Sequence, residues 1–526
     1  MDGTNPGNYG DKYINERRFV AEDRKLRKEL GILDLFMIGI TGVIGSGWLF
    51  APLYAARVAG PASIISWIIG GILVLLVGLT FSHLMSFRSE AGGMVRYPLY
   101  THGKIAGSIT GWALWLAYTM NPPSEASALV EYMSSYVNGI FIDGSLTSEG
   151  LAIALGFMFL FVLVNYYGVR TFARIINGLT ALKIVVPTIT MLTLILLTFK
   201  FHNFTAYGFV PYGPSSVLAA IVSAGIIYSY LGFQAVINLA GEAKRPTRDG
   251  PIALILVIVF SLIFYIMLEI SFIGSIPSGL LAHGWAGLFL PSPFADIAMY
   301  FNMMWLYSLI IADSIYSPSG SSMAAIASNS RATYALAKDG FMPSFFVNVD
   351  SKSGIPRIAL LFNFAISAVV LLTLKNWHSI IEALGVLLLI SFIGPAASSG
   401  VLRKVPGRDS TLKGLYGTVQ PVVFVLAGLI AFITPFTKIA IIIALFLIPI
   451  LLILFKEKGL GKIDMRYGMW LPMYLILILA GSFVYSEEFQ NMKIFTMAAF
   501  VFLSALLYIY ALKSGASFMR IANQKE

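Results

Sequence analysis

Apolar residues run along this chain in blocks of about 20, the length that crosses a hydrocarbon core as a helix. The blocks fall at 33–55, 61–86, 105–137, 151–168, 172–199, 215–241, 251–275, 296–328, 358–375, 379–402, 418–434, 438–455, 467–485 and 494–512, which predicts fourteen spans. Two blocks are interrupted. In the first, Gly39, Gly42, Gly45 and Gly47 put four glycines in nine positions, and each costs about 1 kcal/mol relative to alanine inside a helix. Such a stretch either packs closely, through the pairs Thr41/Gly45, Gly42/Ser46 and Gly47/Ala51, or breaks and lines a cavity. The sixth block has a matching interruption, Ile226-Ile227-Tyr228-Ser229-Tyr230-Leu231-Gly232-Phe233-Gln234.

Composition agrees with an all-α polytopic membrane protein. Hydrophobic residues make up 57% and charged residues 12%, about half the charge of a soluble protein. The basic N-terminal stretch has no apolar h-region, so no cleavable signal is expected and the first span directs insertion. There is no cysteine for disulfides or thiolate sites, and the five histidines have no ligand spacing, so no metal and no cofactor are expected.

Charge distribution then assigns orientation. With a cytoplasmic N-terminus, thirty of the 36 Lys and Arg residues fall in inside segments. Only Arg57, Lys200, Lys375, Lys438 and Lys493 lie outside, and Lys183 falls within a span. This bias puts both termini in the cytoplasm, implies an even number of spans, and explains the +10 net charge by loops rather than nucleic acid. Interrupted spans at corresponding places five apart point to an inverted-repeat transporter. The expected division is a tail at 1–30, a first repeat at 31–199, a second at 215–402, additional spans at 416–513 and a second tail at 514–526.

Four motifs resemble the amino acid–polyamine–organocation family of amino acid permeases. They are Gly45-Ser46-Gly47, Ala91-Gly92-Gly93-Met94-Val95-Arg96-Tyr97-Pro98, Tyr230-Leu231-Gly232-Phe233 running into Gly241-Glu242-Ala243-Lys244-Arg245-Pro246, and Arg331-Ala332-Thr333-Tyr334-Ala335-Leu336-Ala337-Lys338-Asp339-Gly340-Phe341-Met342-Pro343. Gly45 to Phe50, Met94 to Pro98 and Ser317-Pro318-Ser319-Gly320 are most similar to the bacterial aspartate–proton symporter branch. The resemblance implies a leucine-transporter-like five-plus-five inverted repeat with spans one and six broken, in the cell membrane. One departure is Gln234, where many members carry an acidic residue.

The candidate chemistry centres on the two interruptions. A break near Ile44, Gly45, Ser46 and Gly47 would start a second half-helix whose free N–H groups suit a carboxylate. Unwound carbonyls at Ile44 and from Tyr228 through Ser229 to Leu231 suit an ammonium, so a zwitterionic amino acid fits. The resemblance makes Tyr228 an aromatic gate; a packing aromatic is the plainer reading. Lys183 lies roughly 16 Å into span five and should face the bundle interior. By resemblance it replaces a cation between spans one and eight, meeting Ser321 or Ser322, and carries the proton. The alternative is a permanent structural ammonium. Asn121-Pro122-Pro123-Ser124-Glu125 is expected to disrupt span three, with Glu125 either a second protonatable group, a partner for the substrate ammonium, or a cap on the restarted helix. Glu131 reads as interfacial; Glu269 and Asp313 lie within spans, where pairing with polar neighbours is the simple reading and their roles are left open.

The leading functional expectation is import of an amino acid with a proton. The branch resemblance points to aspartate, but no core arginine is left to clamp an acidic side chain. Exchange of one amino acid for another is the second reading. An intramembrane enzyme would have to rely on Asp313 and Glu125, which lack any catalytic motif, and no filter-like loop suggests a channel. The expected partners are the amino acid, the proton and the lipid bilayer, with no nucleic acid; the oligomeric state is left open.

Overall fold

In a computed structural model of the protein, the described residues are 30–87, 93–166, 169–240, 243–350, 355–403, 416–456, 466–486 and 493–523. Most of them are helical. The basic residues up to Lys28, the Gly241-Glu242 pair, part of the Ala91 to Gly93 motif and the side chains of Arg170 and Arg174 lie outside them.

The helices are α1 (Ile32–Val43), α2 (Gly47–Ala59), α3 (Ser63–Phe87), α4 (Gly93–His102), α5 (Lys104–Met133), α6 (Ser148–Tyr166), α7 (Val169–Leu197), α8 (Pro214–Ser223), α9 (Ile226–Ser229) and α10 (Gln234–Leu239). They continue with α11 (Pro246–Ser275), α12 (Pro293–Tyr300), α13 (Met304–Lys338), α14 (Arg357–Leu374), α15 (Trp377–Leu402), α16 (Tyr416–Phe432), α17 (Phe436–Leu445), α18 (Leu447–Lys456), α19 (Trp470–Ser486) and α20 (Lys493–Asn523). A small hairpin, β1 (Phe141–Ile142) with β2 (Ser145–Leu146), turns through Asp143 and Gly144, both at positive φ, as a two-residue turn matched to strand twist requires.

Among the described residues, six helical stretches are long and apolar enough to cross a membrane, and two bent pairs pass together. The second pair folds back by 118° at the break that contains Pro435. Burial separates the helices by depth in the bundle. α15 is covered along nearly its whole length and packs against α5, α3 and α16, whereas α6, α14 and α20 leave apolar side chains such as Leu160, Val369 and Phe502 exposed. A belt of that kind is costly in water and suits acyl chains. The chain is a multi-pass membrane protein.

Three sequence expectations change. The eighth block begins at Met304, because Pro293–Tyr300 forms the separate helix α12. α20 continues through Lys513 to Asn523, so most of the expected C-terminal tail is helix. α5 runs unbroken through Pro122 and Pro123, so there is no restarted helix for Glu125 to cap. Proline at 123 leaves the Thr119 carbonyl without its helical N–H, and Ser367 Oγ of α14 donates to that carbonyl at 2.7 Å. A neighbouring helix supplies the missing donor, which is how a membrane helix tolerates proline.

Candidate functional site

The glycine-rich first block is broken in the structure. α1 ends at Val43, Ile44 is extended (φ −82°, ψ 95°), and α2 starts after Ser46. The sixth block breaks twice: between α8 and α9 at Gly225, which has φ +78°, and between α9 and α10 at Gly232, with φ +124°. Gln234 Oε1 accepts the Gly232 N–H at 2.7 Å, so this side chain supports the break itself.

The two interrupted elements lie side by side, α1 against α10 and α2 against α9. Glycine at 42 and 232 is what allows it: a methyl group on Gly42 would stand 2.9 Å from the Gly232 carbonyl oxygen, and one on Gly232 would overlap the Gly42 carbonyl carbon. Packing and breaking were alternative readings of Gly39 to Phe50, and the structure uses these glycines for both.

At the start of α2 the Ser46 N–H points at a carboxylate that the protein supplies. Glu125 Oε2 accepts it at 2.7 Å, and Glu125 Oε1 accepts Tyr228 OH at 2.9 Å. Ser46 Oγ is 2.9 Å from Tyr228 OH and accepts Trp377 Nε1–H at 2.8 Å. A phenol has one proton. With that proton on Glu125, the Ser46 hydroxyl donates to Tyr228, and donors run in one direction from Trp377 through Ser46 and Tyr228 to the carboxylate. Charge-assisted bonds of this kind are the strong ones, and each link polarises the next. Glu125, Tyr228, Ser46 and Trp377 are all buried. Glu131, two residues from the end of α5, is buried as well, at 4% exposure.

Lys183, midway along α7 and fully buried, donates from Nζ to the Thr41 carbonyl at 2.7 Å. That places it at the end of α1 just before the break. Gly320 of α13 is its other close neighbour, since a methyl group there would sit 3.0 Å from Nζ. Ser321 Oγ stands beside the carboxylate: a methyl group on Gly45 would overlap Glu125 Oε1 and lie 2.8 Å from it. Ser322 Oγ has no partner, so the lysine bonds to the α1 carbonyl rather than to Ser322.

The cluster is closed on one side. Trp377 packs against Phe50 at 5.1 Å and edge-on to Tyr228 at 5.9 Å, with Tyr54 and Tyr132 continuing the plug. On the other side is a narrow cleft with a cavity volume of about 20 Å³, lined by Gly42, Asn121, Leu231, Gly232, Ser321 and Ser328 among others. Its lining is neutral. Asn121, one of the lining residues and only 3% exposed, donates from Nδ2 to Glu125 Oε1 at 3.5 Å, while its Oδ1 has no hydrogen-bond partner. Ser229, by contrast, turns its hydroxyl to the Gly225 carbonyl at 2.9 Å.

The structure therefore gathers Ile44, Gly45, Ser46, Gly47, Tyr228, Ser229, Leu231, Glu125, Lys183, Ser321 and Ser322 around the breaks. Trp377, Asn121 and Ser124, whose Oγ donates to Tyr228 OH at 3.1 Å, were missed. Asn121 and Ser124 sit in a motif read only as a helix break, and Trp377 follows Asn376 at a helix start with no periodic signal. Asp313 and Glu269 pair with polar neighbours as expected. Trp48 Nε1 donates to Asp313 Oδ2 at 3.1 Å, while Trp67 Nε1, at 3.0 Å, and Ser63 donate to Glu269.

The family model described as amino acid permease matches residues 30–509. The glutamate/serine transporter AimA of Bacillus subtilis (strain 168) is 36% identical over 523 residues, covering 95% of this chain and 96% of the relative. The aspartate-proton symporter of the same organism is 32% identical over 478 residues, 88% of this chain and 92% of the relative. More distantly, the branched-chain amino acid permease BcaP, also of Bacillus subtilis, is 25% identical over 358 residues, 66% and 75% of the two chains. The matched proteins are transporters, not enzymes. With a family match and relatives spanning almost its whole length, this chain belongs to the amino acid permease family.

Proposed function

We propose that the protein is a secondary active transporter that imports an amino acid with a proton by alternating access. The observation that carries this reading is the pairing of two broken elements, α1/α2 and α9/α10, around a buried carboxylate, tyrosine and serine, with a buried lysine on the end of α1. Broken helices offer an amino acid free N–H groups for its carboxylate and free carbonyls for its ammonium. On this reading residues 31–199 and 215–402 are the two inverted repeats of a fourteen-span protein, 416–513 are additional spans, and both termini are cytoplasmic. Ile44 to Gly47, Tyr228, Ser229 and Leu231 bind the substrate; Lys183, Glu125, Ser321 and Ser322 handle the proton.

The substrate side chain faces the neutral cleft. Ser321 and Ser328 offer hydrogen bonds there without a guanidinium, which favours a small polar side chain such as that of serine over an acidic one. The relatives' names, glutamate/serine transporter and aspartate-proton symporter, keep both classes in the test. Proteoliposomes with an imposed pH gradient, competed with a panel of amino acids, should accumulate label only with the gradient present, L-serine competing best. Counterflow without gradient-driven uptake would instead make the protein an exchanger.

A further inference from the structure

We propose that the Glu125 carboxylate is an internal occupant of the seat that the amino acid's own carboxylate takes, and that substrate loads Glu125 with a proton by displacing it. The inference rests on the transport reading above and says how substrate and proton are tied together.

The seat is identified by geometry. The N–H of Ser46 begins a helix of 13 residues and is a natural anion site, yet a side chain from another helix fills it at 2.7 Å. The same carboxylate takes the proton of Tyr228, and through Tyr228 and Ser46 the reach of Trp377. Beside it the acceptor needed for a substrate ammonium is present and unused: Asn121 Oδ1, buried on the cleft lining, has no partner. Asn121 is one helical turn before Glu125. An acceptor for the ammonium end of a zwitterion is thus unpartnered, and the carboxylate end is filled by the protein's own carboxylate, to which Asn121 Nδ2 also donates at 3.5 Å.

An incoming amino acid gains the ammonium contacts only by placing its carboxylate at Ser46. Two carboxylates that close cannot both stay ionised. The displaced Glu125 therefore binds a proton from the water on the side of entry, forming one O–H bond and breaking none within the substrate. Release of the amino acid returns Glu125 to Ser46 and expels the proton. The other titratable groups facing Glu125 come from separate helices: Lys183 of α7, Tyr228 of α9 and Tyr265 of α11, with Asp313 of α13 acting on Lys183 from beyond. Lys183 is the single cation among these, and its hydrogen bond is committed to Thr41, so the displaced charge is left to the proton.

The test is calorimetric titration of the purified full-length protein with L-serine, L-glutamate, L-aspartate or L-alanine, in buffers of different ionisation enthalpy. The wild type should take up close to one proton per amino acid bound, with affinity falling about tenfold per pH unit where one proton is linked. Glu125→Gln should bind with no proton uptake and a flat pH profile. L-Serinamide, which has no carboxylate, should draw no proton uptake from the wild type when titrated below about pH 6, where its own α-amine, with a pKa of about 7.7, is already protonated, a result independent of how any variant folds. Binding without proton uptake in the wild type, unchanged uptake in Glu125→Gln, or proton uptake with L-serinamide would each overturn the proposal. If none of the four amino acids binds, the transport reading itself fails, and this inference with it.

Discussion

Gly45 has no room for a side chain on the face it turns to Glu125 and Ser321. A methyl group there takes the space beside the Ser46 N–H that either carboxylate, that of Glu125 or that of the substrate, has to occupy. Gly45→Ala is thus expected to weaken L-serine binding by at least tenfold, about 1.4 kcal/mol, in the same calorimetric titration. Gly232 is constrained differently. Its φ of +124° is one that side-chain-bearing residues rarely adopt, and its Cα faces the Gly42 backbone. Gly232→Ala should cost stability even without ligand, about 1–3 kcal/mol for strain alone, seen as a lower thermal midpoint of the detergent-purified protein. A midpoint equal to wild type would mean that α1 and α10 can separate freely.

At the scale of elements, α5 shows why the sequence was partly misleading. Two consecutive prolines at 122 and 123 argue for a break by every local rule, and what keeps the helix whole is Ser367, more than 240 residues away. Removing that hydroxyl in Ser367→Ala should cost about 1 kcal/mol, the usual net worth of such a bond. In a Pro123→Ala background the restored N–H can serve the Thr119 carbonyl itself, so the Ser367→Ala penalty should shrink there. A double-mutant cycle in thermal stability measures this coupling, and additivity would show that the Ser367 bond is not the substitute. The glycine-rich breaks were legible for the opposite reason: glycine spacing acts locally, and Gly39 to Phe50 and Tyr228 to Gln234 carry their signal within a dozen residues. Lys183 was legible because a charge inside an apolar block has few explanations. Trp377 was not, since only the fold brings it to Ser46. Nor was the Glu125 bond to Ser46, which joins residues 79 apart in the chain. The edges of α12 and α20 were lost because apolar composition does not distinguish a short helix before a span from the span itself.

For the whole molecule, the decisive feature is that the buried charges sit at the junction of moving parts in the proposed cycle. Lys183 of α7 holds the Thr41 carbonyl at the end of α1, and Glu125 of α5 holds the Ser46 N–H at the start of α2, so the two halves of the first broken element are tied to different helices. Rocking of one bundle against the other around a midplane site would have to break or remake one of these ties in each half-cycle. If the lysine tie is made and broken together with the Glu125 proton, Lys183→Ala uncouples the protein without destroying its amino acid seat, which the Ser46 N–H, Asn121 and Tyr228 form independently. Proteoliposomes bearing that variant should still exchange external for internal amino acid. They should lose accumulation against a gradient, which in the wild type is worth about 1.4 kcal/mol, or about tenfold, per pH unit for each coupled proton. Counterflow and pH-driven uptake measured on the same vesicles separate the two abilities. Undiminished uphill uptake by Lys183→Ala would take the lysine out of the coupling and leave Glu125 as the group that carries the proton, while loss of both activities would make Lys183 a structural clamp on α1.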